Sequence, residues 1–424
     1  MGRRPRGRLR VELPATETTL PNGLRVFVLP RRGLPEVAIR VYVDAGRLRE
    51  ARPGAAALTG ACLDEGAGGR SATDIADLLA GMGAQLGCGA GGVSARCLSG
   101  DVPAVLEVVA DLLRRPDFAP EVVERKRGEL IAQVRAEDDD PSFTGRQRLR
   151  ELVYGSHPLG RRDKGGEDDL RALTRDDVLL HHRTHFVPRN TIVAIVGDVD
   201  GANALDLVRR HLGDWEDRPV VQPALPGLAL GEPREVHVEE DRDQLHIYLG
   251  HLGIRRDDPD YHALLVGDYV LGAGPGFTDR LSRTLRDEQG LAYTVGASLA
   301  RSADLEPGLL SAYIGTSPDT RERAIEGLRH EITALATGAA PVTDTEIEDA
   351  QSYMLGSYVF AFETNPGTAE QIVQLARLGL PLDEPDRFVA RIAALEPADV
   401  QRAIERHVHP GRLVCVTVGR GDGR

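Results

Sequence analysis

ALTRDDVLLHHRTHFVPRNTIVAIVGDVD (residues 172–200) and ALEPADVQRAIERHVHPGRLVCVTVGRGD (residues 394–422) share one plan. Each reads as a capped helix, a turn built on proline and a fully apolar strand that ends in Val-Gly. Repetition at a distance of about 200 residues marks a duplicated domain, not a solenoid. Between the two copies, the most Pro-rich and structure-poor stretch is DRPVVQPALPGLALGEP (217–233), placed as an interdomain linker would be. The chain therefore divides into domains at 1–217 and 234–424.

The two halves also agree in their order of elements. Strand-like alternation opens each: LRVFV (24–28) and VAIRVYV (37–43) in the first, QLHIYL (244–249) in the second. A small-residue-rich apolar helix follows, at 54–63 and at 261–271. Next come a strand, a turn and a long helix (103–114 and 317–337), then a Pro-containing turn and a second long helix (120–137 and 343–360). Strands interleaved with helix pairs, without strict βαβα alternation, indicate an α+β fold. Each of the two homologous domains is expected to be a mainly antiparallel sheet packed with helices.

Composition narrows the function classes. A net charge of −13 argues against general nucleic-acid binding, which needs a positive field. No stretch reaches the roughly 18 uninterrupted apolar residues of a membrane span. Nor is the basic N-terminus MGRRPRGRLR followed by the apolar region of a secretory signal, so its arginines read as a solvated tail. The cysteines Cys62, Cys88, Cys97 and Cys415 are widely spaced and form no C-x-x-C pair. They read as small reduced hydrophobes of a cytoplasmic protein. His181 and His185, with His182, give the one zinc-like i,i+4 spacing in the chain. No Glu follows His181, and these residues are expected to be exposed at a helix C-terminus, where the helix dipole favours them.

The helix at 54–66 reads GAAALTGACLDEG. It resembles the active-site helix of the pitrilysin/insulinase zinc-peptidase family, which includes the mitochondrial processing peptidases. In that family the frame is G-x-A-H-x-x-E-H-x-x-x-x-G: two His one turn apart hold zinc, and the Glu between them is the general base. The resemblance extends through LPNGLRVFVLP (20–30), YGSHPLGR (154–161), HFVPRNTIVAIVGDV (185–199) and LGAGPGFTDRLSRTLRDEQGLAYTV (271–295), in family order on the duplicated frame. It implies a chain folded as half of a clamshell.

On that frame the metal site is degenerate. Ala57 and Ala61 stand at the His positions and Gly60 at the Glu position. Gln133, in LIAQV, stands where the family's Glu ligand on the following long helix is expected; Glu129 is one turn away. A methyl or a hydrogen offers zinc no lone pair, and a neutral amide is a poor ligand for it. A shift in alignment rescues nothing, because the chain has no His before His157. No metal is therefore expected in this chain.

The family's other chemical half is kept. Arg286 and Tyr293, in RDEQGLAY, match an Arg and a Tyr that reach across to an active site, bind substrate and stabilise an oxyanion. A guanidinium and a phenol are both donors suited to developing negative charge. The preceding GAGPG (272–276) lacks the Gly-Lys-Ser/Thr of a phosphate loop. Gly274 and Gly276 are read as a substrate-side turn that needs positive φ or close backbone approach.

The resemblance implies a non-catalytic, substrate-binding subunit of a heterodimeric bacterial zinc peptidase. Its partner would be a paralogue carrying H-x-x-E-H and the zinc, and peptides would be cut in an inner chamber. The alternative is a catalytically inert structural or peptide-binding scaffold like the respiratory-complex core subunits, which presents a sheet edge to an extended chain.

Overall fold

A computed structural model describes residues 10–421. The arginines from Arg3 to Arg8 lie outside the described residues. In the first half, β1 (Thr16–Thr19), β2 (Arg25–Pro30), β3 (Glu36–Val43), the small hairpin β4 (Gly66–Ala67) and β5 (Arg70–Ser71), β6 (Gln85–Gly89), β7 (Gly92–Leu98) and β8 (Thr191–Gly197) succeed one another. Six of them form a sheet in the order β1-β2-β8-β3-β7-β6. In the second half, β9 (Glu235–Glu239), β10 (Leu245–Leu252), β11 (Thr294–Ser298), β12 (Leu309–Thr316) and β13 (Val414–Gly419) form a sheet in the order β11-β12-β10-β13-β9.

Pairing is antiparallel apart from one parallel pair in each sheet, β2 with β8 and β9 with β13. The fold is α+β. The closing strand of each repeat, β8 or β13, sits inside its sheet with every residue buried. Burial on both faces explains why these strands read as unbroken apolar runs.

One face of the first sheet (Val26, Val28, Ile39, Val41, Val193, Ile195) packs against helices of its own half, including Ala55–Cys62 and Val102–Arg114. The opposite face (Phe27, Leu29, Ala38, Ala194, Val196) packs against the helix Asn365–Arg377 from the second half, through Ala369, Ile372 and Val373. The second sheet receives the converse. Its main core uses Ile247, Leu249, Ile314 and Cys415, while Tyr248, Val414, Val416 and Val418 on the other face cover Leu149 of the first-half helix Pro141–Tyr154. Each half thus lends one helix to the other half's sheet.

Polar contacts fix this exchange at its rims. Arg40 pairs with Glu370 at 2.6 Å, and the Arg31 guanidinium donates to the Phe362 carbonyl at 3.0 Å. On the other sheet Tyr248 donates its hydroxyl to the Ser142 carbonyl at 2.9 Å. The 217–233 stretch is coil.

Candidate functional site: an apolar helix and an arginine–tyrosine pair

The helix Ala55–Cys62 begins after Gly54, whose φ of 86° and 2.7 Å Cβ approach to the Lys164 carbonyl leave no room for another residue. No side chain of a capping residue closes this N-terminus. Glu50 does so instead: its carboxylate accepts from the Ala56 amide at 3.0 Å. Burial pushes the Glu50 carboxyl up to about 7 against the pull of those amides. The helix packs against Arg175–His185 on one side and Pro120–Asp138 on another.

Ala57 and Ala61 are half-buried and Gly60 is buried. Gln133 projects from the Pro120–Asp138 helix as an exposed residue. The nearby carboxylates are occupied by cations. Glu65 pairs with Arg125 at 2.6 Å and with Lys126 at 2.7 Å, and Glu129 pairs with the same two at 2.8 and 3.3 Å. These positions offer methyls, a hydrogen and an amide, and Glu65 and Glu129 are held in ion pairs.

The histidines at 181, 182 and 185 depart from the sequence expectation. They are buried, not exposed. His181 Nε2 lies 2.9 Å from the Ala45 carbonyl and His182 Nε2 lies 2.9 Å from the Leu113 carbonyl, so each ring donates to a carbonyl. His182 also stacks on Phe186 at 4.7 Å. Burial holds His181 and His182 down near 4, with the neighbouring His185 adding to the effect on His181. They are neutral core residues. A polar-looking helix was misread because the carbonyls that satisfy it come from residues far away in sequence.

On the second half, the structure brings Arg286 and Tyr293 together. Arg286 lies in a π-helical turn, Ser282–Glu288, a geometry concentrated at functional sites. That turn is held firmly. Leu281 and Leu285 are buried in the second core. Asp279 accepts from the Ser282 amide at 2.8 Å, and the buried Arg280 forks onto Glu346 at 2.7 and 2.8 Å.

After the turn, Leu291 is buried and its carbonyl accepts from Thr316 Oγ1 at 2.7 Å. Two residues on, Tyr293 is 82% exposed, with the Arg286 guanidinium 5.4 Å from its ring centroid. The local ion pair expected of an ordinary surface arginine is loose: Arg286 Nε is 4.0 Å from Asp287.

The glycine turn meets both needs inferred for it. Gly276 has φ 62°, and a Cβ on Gly274 would lie 2.9 Å from the Asp279 amide nitrogen. Gly272 accepts from the Ala297 amide at 3.1 Å, which ties the turn to β11.

One cluster escaped sequence reading. Asp258, Asp260 and His407 place ligand-type atoms within 4.8 Å of one another, the one such group among the described residues. Asp260 already holds Arg406 at 2.7 Å and His407 at 2.9 Å, so the arrangement is an ion-pair network. The acidic run Asp257-Asp258-Pro259-Asp260 was its only sequence signal.

Residues 26–162 match the model of the insulinase family (peptidase family M16), and residues 172–354 match the model described as the peptidase M16 inactive domain. The chain belongs to the M16 peptidase family. It is 28% identical to an uncharacterised zinc protease of Streptomyces coelicolor, over 95% of this chain and 89% of that protein. With a probable mitochondrial-processing peptidase subunit beta of Schizosaccharomyces pombe it shares 25% identity, over 97% of this chain and 93% of the relative. The crystal structure of a peptidase M16 inactive domain from Pseudomonas fluorescens superposes with a TM-score of 0.89 at 25% identity, covering 97% of this chain and all of the other.

Zinc is the metal named in such M16 relatives. The residues of this chain do not fit it. None of Ala57, Gly60, Ala61 or Gln133 carries an imidazole or carboxylate, and the adjacent carboxylates are committed to Arg125 and Lys126. Among the described residues, no helix is long and apolar enough to cross a membrane.

Proposed function

We propose that this M16 chain is a non-catalytic, substrate-binding subunit. In this reading it works with an H-x-x-E-H paralogue that holds the zinc, and the pair cleaves peptides in an inner chamber. The observation that carries the reading is selective loss. The metal face offers no ligand, while Arg286 and Tyr293 are retained side by side, the guanidinium half-buried on a buried framework and the tyrosine ring presented to solvent.

The role of the pair follows from its chemistry. Arg286 supplies a planar, permanently charged donor, and Tyr293 supplies a hydroxyl at the tip of a ring that the guanidinium steadies. Aimed at the oxygen that gains charge as an amide is attacked, a preorganised donor contributes about 3–4 kcal/mol. Gly274 and Gly276 shape the adjoining turn so that a peptide backbone can approach. The scaffold reading differs in one respect: it gives Arg286 and Tyr293 no chemical duty.

Reconstitution tests the proposal. The chain purified alone is expected to hold no stoichiometric zinc and to leave an unfolded peptide intact. Co-expression with the H-x-x-E-H paralogue encoded nearest to it is expected to yield a complex that cleaves the peptide. Zinc and hydrolysis by the lone chain would overturn the assignment, and a stable but silent complex would favour the scaffold.

A further inference from the structure

Gly60, on the Ala55–Cys62 helix, lies against the tip of the β6–β7 hairpin. A Cβ on Gly60 would lie 2.3 Å from the Ala90 backbone nitrogen, 2.3 Å from the Gly89 carbonyl carbon and 2.9 Å from the Gly89 Cα. These are backbone atoms, so not even a methyl fits unless the hairpin moves.

The hairpin is built to come this close. Gly89 pairs with Gly92, and only Ala90 and Gly91 lie between them. The turn is pinned from the sheet side as well. Gly92 has φ 116°, and a Cβ there would lie 2.2 Å from the Val41 carbonyl of β3. Along the arm, Cys88 packs against the first core. The turn is therefore held between Val41 of β3 and Gly60.

We propose that the β6–β7 hairpin is a plug that keeps this chain's own half of the cleft closed to peptide, and that Gly60 is the residue that seats it. A side chain at position 60 and the seated tip exclude each other. Loss of the carboxylate there and closure of the face are thus one structural change. A consequence, which rests on the partner-subunit reading, is that the assembly is one-sided: peptide lies against the partner's cleft and meets a closed wall here. The closure itself belongs to this chain alone.

Cys88 is the reporter, because it is half-buried on the hairpin while Cys62, Cys97 and Cys415 are buried elsewhere. The full chain would be labelled with a maleimide under native conditions and the modified thiol mapped by mass spectrometry. Gly60→Ala is expected to raise the Cys88 rate by about tenfold or more, as local opening does, and to strip hydrogen-exchange protection from amides 88–92. Ala57→Ser, on the same helix face, should match the parent. Unchanged labelling and protection in folded Gly60→Ala would overturn the plug. Should that variant fail to fold, Gly92→Ala lifts the hairpin from its β3 end with Gly60 intact, and it must raise the Cys88 rate; an unchanged rate refutes the proposal. The assay needs no partner, so its outcome is separate from that of the reconstitution.

Discussion

Replacing Tyr293 by Phe and Arg286 by Ala separates chemistry from stability, because the structure sets the two magnitudes far apart. The guanidinium lies 5.4 Å from the ring, and the ring is 82% exposed. An exposed cation–π pair contributes about 0.5–1 kcal/mol to folding. Tyr293→Phe keeps that contact and deletes one hydroxyl, so its folding free energy should barely change. Arg286→Ala also removes the contacts of a guanidinium that is mostly buried, and should cost about 1–2 kcal/mol. Under the proposed partner-subunit function, in which both residues are oxyanion donors, loss of one should cost about 2.7–4 kcal/mol, or roughly 10²–10³ in rate. The double variant should lose less than the product of the two single losses, since both donors serve one developing charge. The assay is kcat/KM on a quenched-fluorescence peptide, with urea unfolding of the same preparations alongside. An unchanged kcat/KM refutes the reasoning. So does a rate loss that a comparable loss of stability explains.

Other consequences can be measured on the chain alone. Gly145 faces Tyr248, and a Cβ there would lie 2.3 Å from the ring, whose hydroxyl is tied to Ser142; Gly145→Ala should cost about 1–3 kcal/mol by overpacking, read as a lower urea midpoint. Ile372 is fully buried against the other half's sheet, so Ile372→Ala should cost about 2–5 kcal/mol and shift a single transition for the whole chain; two separated transitions would contradict the helix exchange. His181 stays neutral when folded down to about pH 4 but protonates near 6.5 when unfolded, so its contribution to stability is lost as pH falls from 6.5 to 4. His181→Gln should flatten the pH dependence of unfolding in that window by about 1.4 kcal/mol per pH unit, and a slope equal to that of the parent would show that the ring is not held neutral.

Local pattern made a good part of this protein legible. Matched endings at 172–200 and 394–422 revealed the duplication because helix period, proline turn and apolar run are short-range signals. That Ala57, Gly60, Ala61 and Gln133 offer no imidazole or carboxylate needed only residue identities. That the 272–276 turn needs positive φ or close backbone approach was legible too, because glycines cluster where the chain must do one or the other. What the sequence did not carry was which surface covers which. Leu149 and Ile372 each pack on the sheet of the opposite half, and His181 and His182 are satisfied by carbonyls of Ala45 and Leu113. Gly60 is pressed by a hairpin tip about thirty residues away. An apolar stripe states that a face will be buried but not against what, because the energy depends on area and fit and not on chain position. Sequence alone determined that positions 57, 60, 61 and 133 carry neither an imidazole nor a carboxylate. Only the tertiary structure decided that Gly60 lies against a hairpin tip, because that approach depends on backbone atoms that no residue letter records.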